Sequence, residues 1–188
     1  TSGFGTRWDN VGAMRNRGVE INVSADVLRI KDFTWNVNAN VSYNKNEITE
    51  LYNGITEYVA SDTGRMVAVG HPLGEFYLNR YAGVNPTNGD ALWYTKDGEI
   101  TTEYNESDKV MLGKTHEAPW QGGFGTTLSW QGFSLSAQFT WVADRWMLNN
   151  DRVFQESNGL FSAYNQSKRM LYDRWKKPGD VTDIPRYG

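Results

Sequence analysis

Four stretches of the chain alternate apolar and polar residues with a period of two. The longest, FTWNVNANVSYN at residues 33–44, has apolar side chains at the odd positions and uncharged polar side chains at the even positions. Successive side chains of a β-strand point to opposite faces of its sheet, so this period predicts strands. The four predicted strands cover residues 19–28, 33–44, 122–130 and 133–141.

Short and long connections alternate along the chain. The first two strands are joined by LRIKD and the last two by Gln131-Gly132, a two-residue hairpin turn. Long segments at 45–119 and 142–188 follow the second and fourth strands. Short turns at one end and long loops at the other are typical of a membrane β-barrel, whereas a compact soluble domain rarely contains so long a structureless connection.

Aromatic residues lie at both ends of the predicted strands. Those beside the short turns are Phe33, Trp35, Trp130 and Phe133, and those at the opposite ends are Tyr43 and Trp141. Membrane barrels carry aromatic girdles at both interfaces, about 9–11 tilted residues apart. The same rings would also fill the core of a soluble β-sandwich, so the pattern alone leaves both folds open.

Composition narrows the classes of function. The chain has 188 residues, a net charge of -3 and no cysteine. The acidic balance argues against a nucleic-acid partner, which usually meets a basic surface. The absence of cysteine excludes disulfides and thiolate metal sites. The chain contains no run of about 18 apolar residues, so the sequence predicts no transmembrane helix.

No catalytic, cofactor or metal site is predicted. The two histidines, His71 and His116, each stand without a ligand-spaced partner. GGFG at 122–125 opens a strand, whereas a phosphate-binding loop would open a helix. We therefore expect a protein that is not an enzyme, and the remaining function classes are transport and binding.

Five segments resemble the SusC/RagA class of TonB-dependent outer-membrane transporters. In chain order they are NVGAMRNRGVEINVSADV, FTWNVNANVSYNKNEITEL, GHPLGEFYLNRYAGVNPTNGDALWY, LGKTHEAPWQGGFGTTLSWQGFSLSAQFTW and YDRWKKPGDVTDIPRYG. The resemblance covers nearly the whole chain. It implies an all-β fold: antiparallel strands from the C-terminal part of a transmembrane β-barrel, with residues 1–188 forming one partial barrel domain. It further implies that the plug domain and the TonB box lie outside this sequence.

The resemblance also implies a function and partners. The transporter would import large nutrients into the periplasm, oligosaccharides ahead of peptides, with a SusD-like surface lipoprotein and with TonB engaged through the absent N-terminal part. The apolar strand faces would meet outer-membrane lipids. Asn36, Asn38, Asn40 and Gln138 would face the hydrated lumen, where neutral amides bind water, plug or sugar without burying a charge. A soluble β-sandwich carbohydrate-binding module is the alternative.

The long segments are predicted to be extracellular and to carry recognition. Pro86 and Asn88-Gly89 predict a small hairpin between 76–84 and 91–95, and one short helix is predicted within 159–179, before Pro178-Gly179. Five loop aromatics are candidate ligand-binding residues: Trp93, Tyr94, Trp146, Phe154 and Tyr164. Their rings would stack on sugars or peptides, or else pack the loops against one another.

Overall fold

The computed structural model describes residues 12–60 and 64–187, and its regular secondary structure is mostly antiparallel strand. The strands are β1 (Gly12–Ile30), β2 (Phe33–Leu51), β3 (Glu57–Ala60), β4 (Arg65–Ala68), β5 (Glu75–Leu78), β6 (Arg80–Val84), β7 (Ala91–Tyr94), β8 (Ile100–Thr101), β9 (Val110–Thr115), β10 (Trp120–Trp130) and β11 (Phe133–Ala143). The α-helices are α1 (Asn150–Gln155) and α2 (Lys168–Tyr172), and single 3-10 turns lie at Tyr52–Gly54 and Glu106–Asp108. The predicted all-β, antiparallel fold is confirmed. Within the described ranges, no helix is long and apolar enough to cross a membrane.

The four long strands form one sheet in the order β1-β2-β10-β11. Each strand is antiparallel to its neighbours. β1 and β2 are longer than the sequence pattern predicts, because they continue to pair from Gly18↔Asn44 to Gly12↔Leu51 after the apolar alternation has ended. Cross-strand polar contacts support this extension, including the ion pair between Arg15 and Glu47 at 3.2 Å.

Both hairpins of the long sheet close in two residues. Ile30 pairs with Phe33, so the first turn is Lys31-Asp32 and is shorter than the predicted five-residue connection. In the second turn, Gln131 has φ 48° and Gly132 has φ 86°. Positive φ at both central residues is the type I′ geometry, which matches the right-handed twist of the flanking strands.

The register places the apolar residues of all four strands on one face, in six cross-strand rows. The first row contains Val19, Tyr43, Trp120 and Ala143, and the last contains Ile30, Phe33, Trp130 and Phe133. β1 holds this register through a bulge between Asp26 and Leu28, which makes Val27 the extra residue. The face is largely open, since Phe133 is 79% exposed and Leu135 is 66% exposed.

The segment 45–119 is not a structureless loop. It contains the end of β2, a four-stranded sheet in the order β3-β4-β5-β9 and a three-stranded sheet in the order β6-β7-β8. The chain divides into two compact units, one of residues up to Phe76 with Gly113–Trp146, the other of Tyr77–Leu112 with Met147 onward. In the first unit, Ile48, Leu51 and Val67 form a small buried cluster.

The loop hairpin lies at the predicted place, with a shorter first strand. β6 pairs with β7, and the turn between them is closed by the Asn85 N–H, which donates to Asp90 O at 2.8 Å. Residues 76–78, predicted to belong to this hairpin, lie in β5 of the other sheet. The predicted loop helix is α2, and α1 is an additional helix whose first turn is capped by Asn149 Oδ1, which accepts from Arg152 N at 3.2 Å.

Candidate functional site

Amide side chains gather on the polar face of the long sheet. Asn38 and Gln138 both lie opposite Gly125, one on each side of β10. Because Gly125 has no side chain, both amides extend over it, and a Cβ built there would lie 2.9 Å from Asn38 Nδ2. Asn36 and Asn40 occupy the same face at the neighbouring even positions of β2. The structure thus brings the four residues predicted to face the lumen onto one surface.

This polar face combines amides and hydroxyls with an ion pair at its short-turn end. The Asn36 amide donates to Asp26 Oδ1 at 3.1 Å, and Arg29 Nη2 donates to Asp26 Oδ2 at 3.1 Å. Between β10 and β11 the hydroxyls of Thr127 and Ser136 lie 3.2 Å apart. Such groups can exchange hydrogen bonds with hydroxyl-bearing or peptide ligands without the cost of desolvating a charge.

Trp93 is packed within an aromatic cluster on the β6-β7-β8 sheet. Its ring lies edge-on to Tyr81, with centroids 5.2 Å apart, and to Tyr104, with centroids 5.0 Å apart. Burial, followed by the hydrogen bond from Tyr104 Oη to Glu106 Oε1 at 2.7 Å and the charge of Glu106, raises the pKa of Tyr104 to about 12. Burial, followed by the charge of Asp183, also raises the pKa of Tyr81.

Tyr94 has a different neighbour. The guanidinium of Arg80 lies 5.3 Å from the Tyr94 ring centroid and donates to Thr95 O at 2.8 Å. One face of the ring is thus engaged in a cation–π contact that also ties Arg80 to the β7 end.

Phe154 and Tyr164 belong to one cluster, with centroids 5.1 Å apart. Phe161 completes it at 4.9 Å from Phe154. Tyr164 is 55% exposed, so a large part of its surface is open to a ligand. The neighbouring backbone is held by ion pairs, in which Arg169 bridges Glu156 at 3.0 Å and Asp183 at 2.7 Å.

Trp146 lies in the first unit, among charged groups. Its Nε1 donates to Asp144 Oδ1 at 3.0 Å, and Lys114 Nζ lies 4.5 Å from the ring centroid. The backbone N–H of Trp146 donates to Thr115 O at 2.9 Å. Trp146 is 47% exposed, which leaves an aromatic surface beside a carboxylate and an ammonium group. The five predicted ligand-binding rings thus fall into four separate contact groups, with Phe154 and Tyr164 in the same one.

A cleft opens where β2 and β10 part. The last cross-strand bond between them runs from Asn44 N to Pro119 O at 2.9 Å, just beyond the pair Tyr43 and Trp120. Past this point the two segments diverge and enclose a cleft of about 310 Å³. The cleft lies within the first unit, at the long-connection end of the sheet.

Asparagine side chains form one wall of this cleft. Asn16 Oδ1 accepts from Asn46 Nδ2 at 2.9 Å and from Asn44 Nδ2 at 3.4 Å. Asn46 Oδ1 accepts from Leu73 N at 2.8 Å, which ties the segment after β4 to β2. His116 and Asp144 also line the cleft. This set of amides, imidazole and carboxylate suits a ligand with many hydroxyl or peptide groups.

The two histidines have local partners. His71 Nδ1 lies 2.9 Å from Glu75 Oε2, and Glu75 Oε1 accepts from Gly113 N at 2.5 Å. His116 Nε2 lies 3.2 Å from Glu117 Oε1. Within residues 12–60 and 64–187, no group of three His, Cys, Asp or Glu side chains is placed to hold a metal ion.

No family model matches the chain. TonB-dependent receptor P39 of Formosa agariphila is 27% identical over 170 residues, which are 90% of this chain and 15% of that protein. TonB-dependent receptor SusC of Bacteroides thetaiotaomicron is 31% identical over 119 residues, 56% of this chain and 12% of that protein. A solved structure of the RagAB peptide transporter matches 100% of this chain, and the match covers 21% of that transporter chain. The TM-score is 0.90 and the sequence identity is 34%.

The chain is of the SusC/RagA type. This follows from the joint match to SusC in sequence and to RagAB in structure, where a second solved structure, of the RagAB peptide importer in the closed-closed state, gives a TM-score of 0.88 and 36% identity. The chain spans about a fifth or less of the length of these relatives.

Two features of this SusC/RagA-type chain are not indicated by any sequence pattern. Trp120 joins the aromatic row, since its ring centroid lies 4.5 Å from that of Tyr43. Trp120 precedes the predicted strand 122–130. Only continuing the period of two backwards from residue 122 would have put Trp120 on the apolar face. The cleft is not indicated either, because Asn16, Asn46 and His116 lie far apart in the sequence and share no motif.

Proposed function

We propose that the chain is part of a TonB-dependent transporter that imports large nutrients across the outer membrane. The observation that carries the proposal is the two-faced long sheet. One face presents six apolar rows with exposed side chains, and the other presents amides and hydroxyls. A sheet with lipid on one side and a hydrated lumen on the other requires this division.

The aromatic rows support a membrane placement. Ten residues separate Phe33 from Tyr43, which is about 33 Å along a strand. A strand tilted by about 40° would span about 25 Å of bilayer over that length, the height of the apolar band in outer-membrane barrels. Tyr43 with Trp120 would then mark one interface, and Phe33 with Trp130 the other.

The exposure of the apolar rows argues against the soluble sandwich. In a sandwich the inner face is covered by a second sheet, and its side chains are buried. Phe124, Phe139 and Val23 lie in the middle of the apolar face and are 52%, 52% and 59% exposed. An apolar surface of this kind in water would favour aggregation, whereas lipid would cover it.

We propose oligosaccharides as the first substrate class and peptides as the second. Sugars combine hydroxyls with apolar ring faces, which suits the amide-lined polar face and the open rings of Trp146 and Tyr164. The similarity to RagAB, whose solved structures are of a peptide importer, favours the second class. In either case the proposed partners are a SusD-like surface lipoprotein, TonB and outer-membrane lipids, with the long segments facing outward.

Uptake by cells that carry or lack the full-length parent gene tests the proposal. The cells would receive fluorescent oligosaccharides and fluorescent peptides of matched size, with and without a protonophore that removes the energy source of TonB. We expect uptake to require the gene and the proton gradient, and one substrate class to be taken up. Equal uptake of both classes in cells that lack the gene would contradict the proposal.

A further inference from the structure

Two like charges face each other at the end of the apolar face. Arg17 and Lys45 are direct cross-strand partners, one row beyond Val19 and Tyr43 on the same face. Both side chains are exposed. Like charges at opposed positions of an antiparallel pair destabilise the sheet, so this arrangement is unfavourable unless an anion lies between them.

Nearby carboxylates do not neutralise the pair. In the next row, Arg15 and Glu47 form an ion pair with each other at 3.2 Å. In the part of the chain that the structure describes, no carboxylate oxygen lies within 4.0 Å of the charged atoms of Arg17 or Lys45. The four side chains of these two rows are three cations and one carboxylate, which gives the two rows a net charge of two positive units.

The position of the pair relates it to the membrane interface. The Tyr43–Trp120 aromatic row lies one row inward, and a step of two residues along a strand is about 6–7 Å. Aromatic rings in membrane barrels lie at the level of the interface. Cationic side chains one step further out therefore reach the charged headgroups, and their lipid-side orientation points them at lipid and away from the lumen.

We propose that Arg17 and Lys45 bind the phosphate groups of a phosphorylated glycolipid in the outer leaflet. A guanidinium and an ammonium group on adjacent strands match the charge and hydrogen-bonding capacity of a phosphate. The inference rests on the proposed function, because it takes the apolar face to meet lipid.

The test uses the full-length parent protein in detergent and diphosphoryl lipid A as the probe. Native mass spectrometry would count the lipid A molecules that stay bound to the protein. The same measurement with enzymatically dephosphorylated lipid A shows whether binding needs the phosphate groups. The variant Arg17→Gln/Lys45→Gln is compared with the control Arg29→Gln/Lys31→Gln, which removes two exposed cations at the turn end of the same hairpin.

We expect about twentyfold weaker retention of diphosphoryl lipid A by Arg17→Gln/Lys45→Gln, and about fivefold weaker retention by Lys45→Gln alone. The control should retain the lipid like the wild type, and the dephosphorylated form should bind weakly to all of them. The single variant provides the measurement if the double variant does not fold.

Unchanged retention in the Arg17 and Lys45 variants would overturn the proposal, as would an equal loss in the control. Full displacement of lipid A by inorganic phosphate would also overturn it, since it would identify a site for free phosphate. Nutrient uptake by the parent is measured separately. If the parent takes up nutrients but the Arg17 and Lys45 variants retain lipid A like the wild type, only this inference is contradicted. If lipid A retention depends on Arg17 and Lys45 but the parent takes up no nutrient, only the proposed import is contradicted.

Discussion

The indole ring of Trp141 packs over the backbone of Gly122, its cross-strand partner. A Cβ built on Gly122 would lie 2.7 Å from Trp141 Cζ2 and would also collide with the backbone carbonyl of Asn40. Gly122 therefore allows a close approach between β10 and both of its neighbours, and it leaves room for the Trp141 ring over the β10 backbone.

We expect Gly122→Ala to lower the free energy of unfolding by about 1–3 kcal/mol, because the clash involves backbone and a packed ring. Gly125→Ala is the matched control in the same strand, since the nearest atoms there are the ends of the Asn38 and Gln138 amides, which can move away. Urea unfolding of the full-length parent in lipid vesicles measures both. Equal losses would contradict this account of Gly122.

The two faces of the long sheet should respond differently to charge. Ala39 and Ala137 lie in the middle apolar rows, so Ala39→Arg or Ala137→Arg should cost about 2–4 kcal/mol in lipid. Asn38→Arg and Gln138→Arg place the same charge on the polar face and should be much milder. Refolding into vesicles, followed by the heat-dependent shift of the folded band on gels, measures each variant. Similar damage on both faces would contradict the lipid and lumen assignment.

The long segments and the short turns should lie on opposite sides of the membrane. Asp97 lies in the exposed turn between β7 and β8, and Lys177 is exposed in the last segment. Cysteine at either position should react with a membrane-impermeant maleimide on intact cells. Cysteine at Asp32, in the first hairpin turn, should react only after the outer membrane is opened. The reverse pattern of labelling would overturn the topology.

The ion pairs around Arg169 should make the last segment sensitive to acid. Hydrogen bonds from Arg152 to Glu156, and from Arg169 to Asp183, hold the pKa of each carboxyl below its ordinary value. A lowered folded-state pKa stabilises the segment above the ordinary values of 4.5 and 3.8, and this contribution is lost as the pH falls through the folded-state pKa.

Hydrogen exchange of the α2 amides, corrected for intrinsic rates, should therefore show constant protection above pH 4.5 and falling protection below it. Arg169→Gln should weaken protection at neutral pH and flatten this dependence, because it removes a partner of both carboxylates. Lys177→Gln, a surface change nearby in sequence, should leave the profile unaltered. A wild-type profile in Arg169→Gln would argue against the network.

Two loop rings, the exposed Trp146 and the half-buried Trp93, are tested for a contribution to substrate binding. If Trp146 and Trp93 stack on substrate, Trp146→Ala and Trp93→Ala should each weaken binding by about 0.5–1.5 kcal/mol without lowering the amount of protein in the membrane. Trp146→Phe keeps a ring and should retain more binding than Trp146→Ala. Unchanged uptake in both alanine variants would assign these rings to loop packing, the role that the Tyr81 and Tyr104 contacts of Trp93 already support.

The sequence by itself determined the central parts of the four long strands, their two faces and the Gln131-Gly132 turn. These properties depend on local covalent geometry, because side chains alternate along any extended chain and Gln131-Gly132 suits a two-residue turn wherever it lies. The period of two therefore indicated that Ala39 and Asn38 would point to opposite faces before any partner strand was known. The SusC/RagA resemblance was likewise carried by short segments readable in order.

Only the tertiary structure decided which distant segments meet. β2 continues past Asn44 to Leu51, and β1 begins at Gly12, because the two segments supply hydrogen-bond partners to each other. Neither of these extensions alternates apolar and polar residues. The Trp175 indole donates to Pro86 O from 89 residues away, a contact that no local pattern specifies. The cleft beside Asn44 and the opposed charges of Arg17 and Lys45 arise in the same way, because a register fixes pairs of residues that the sequence separates.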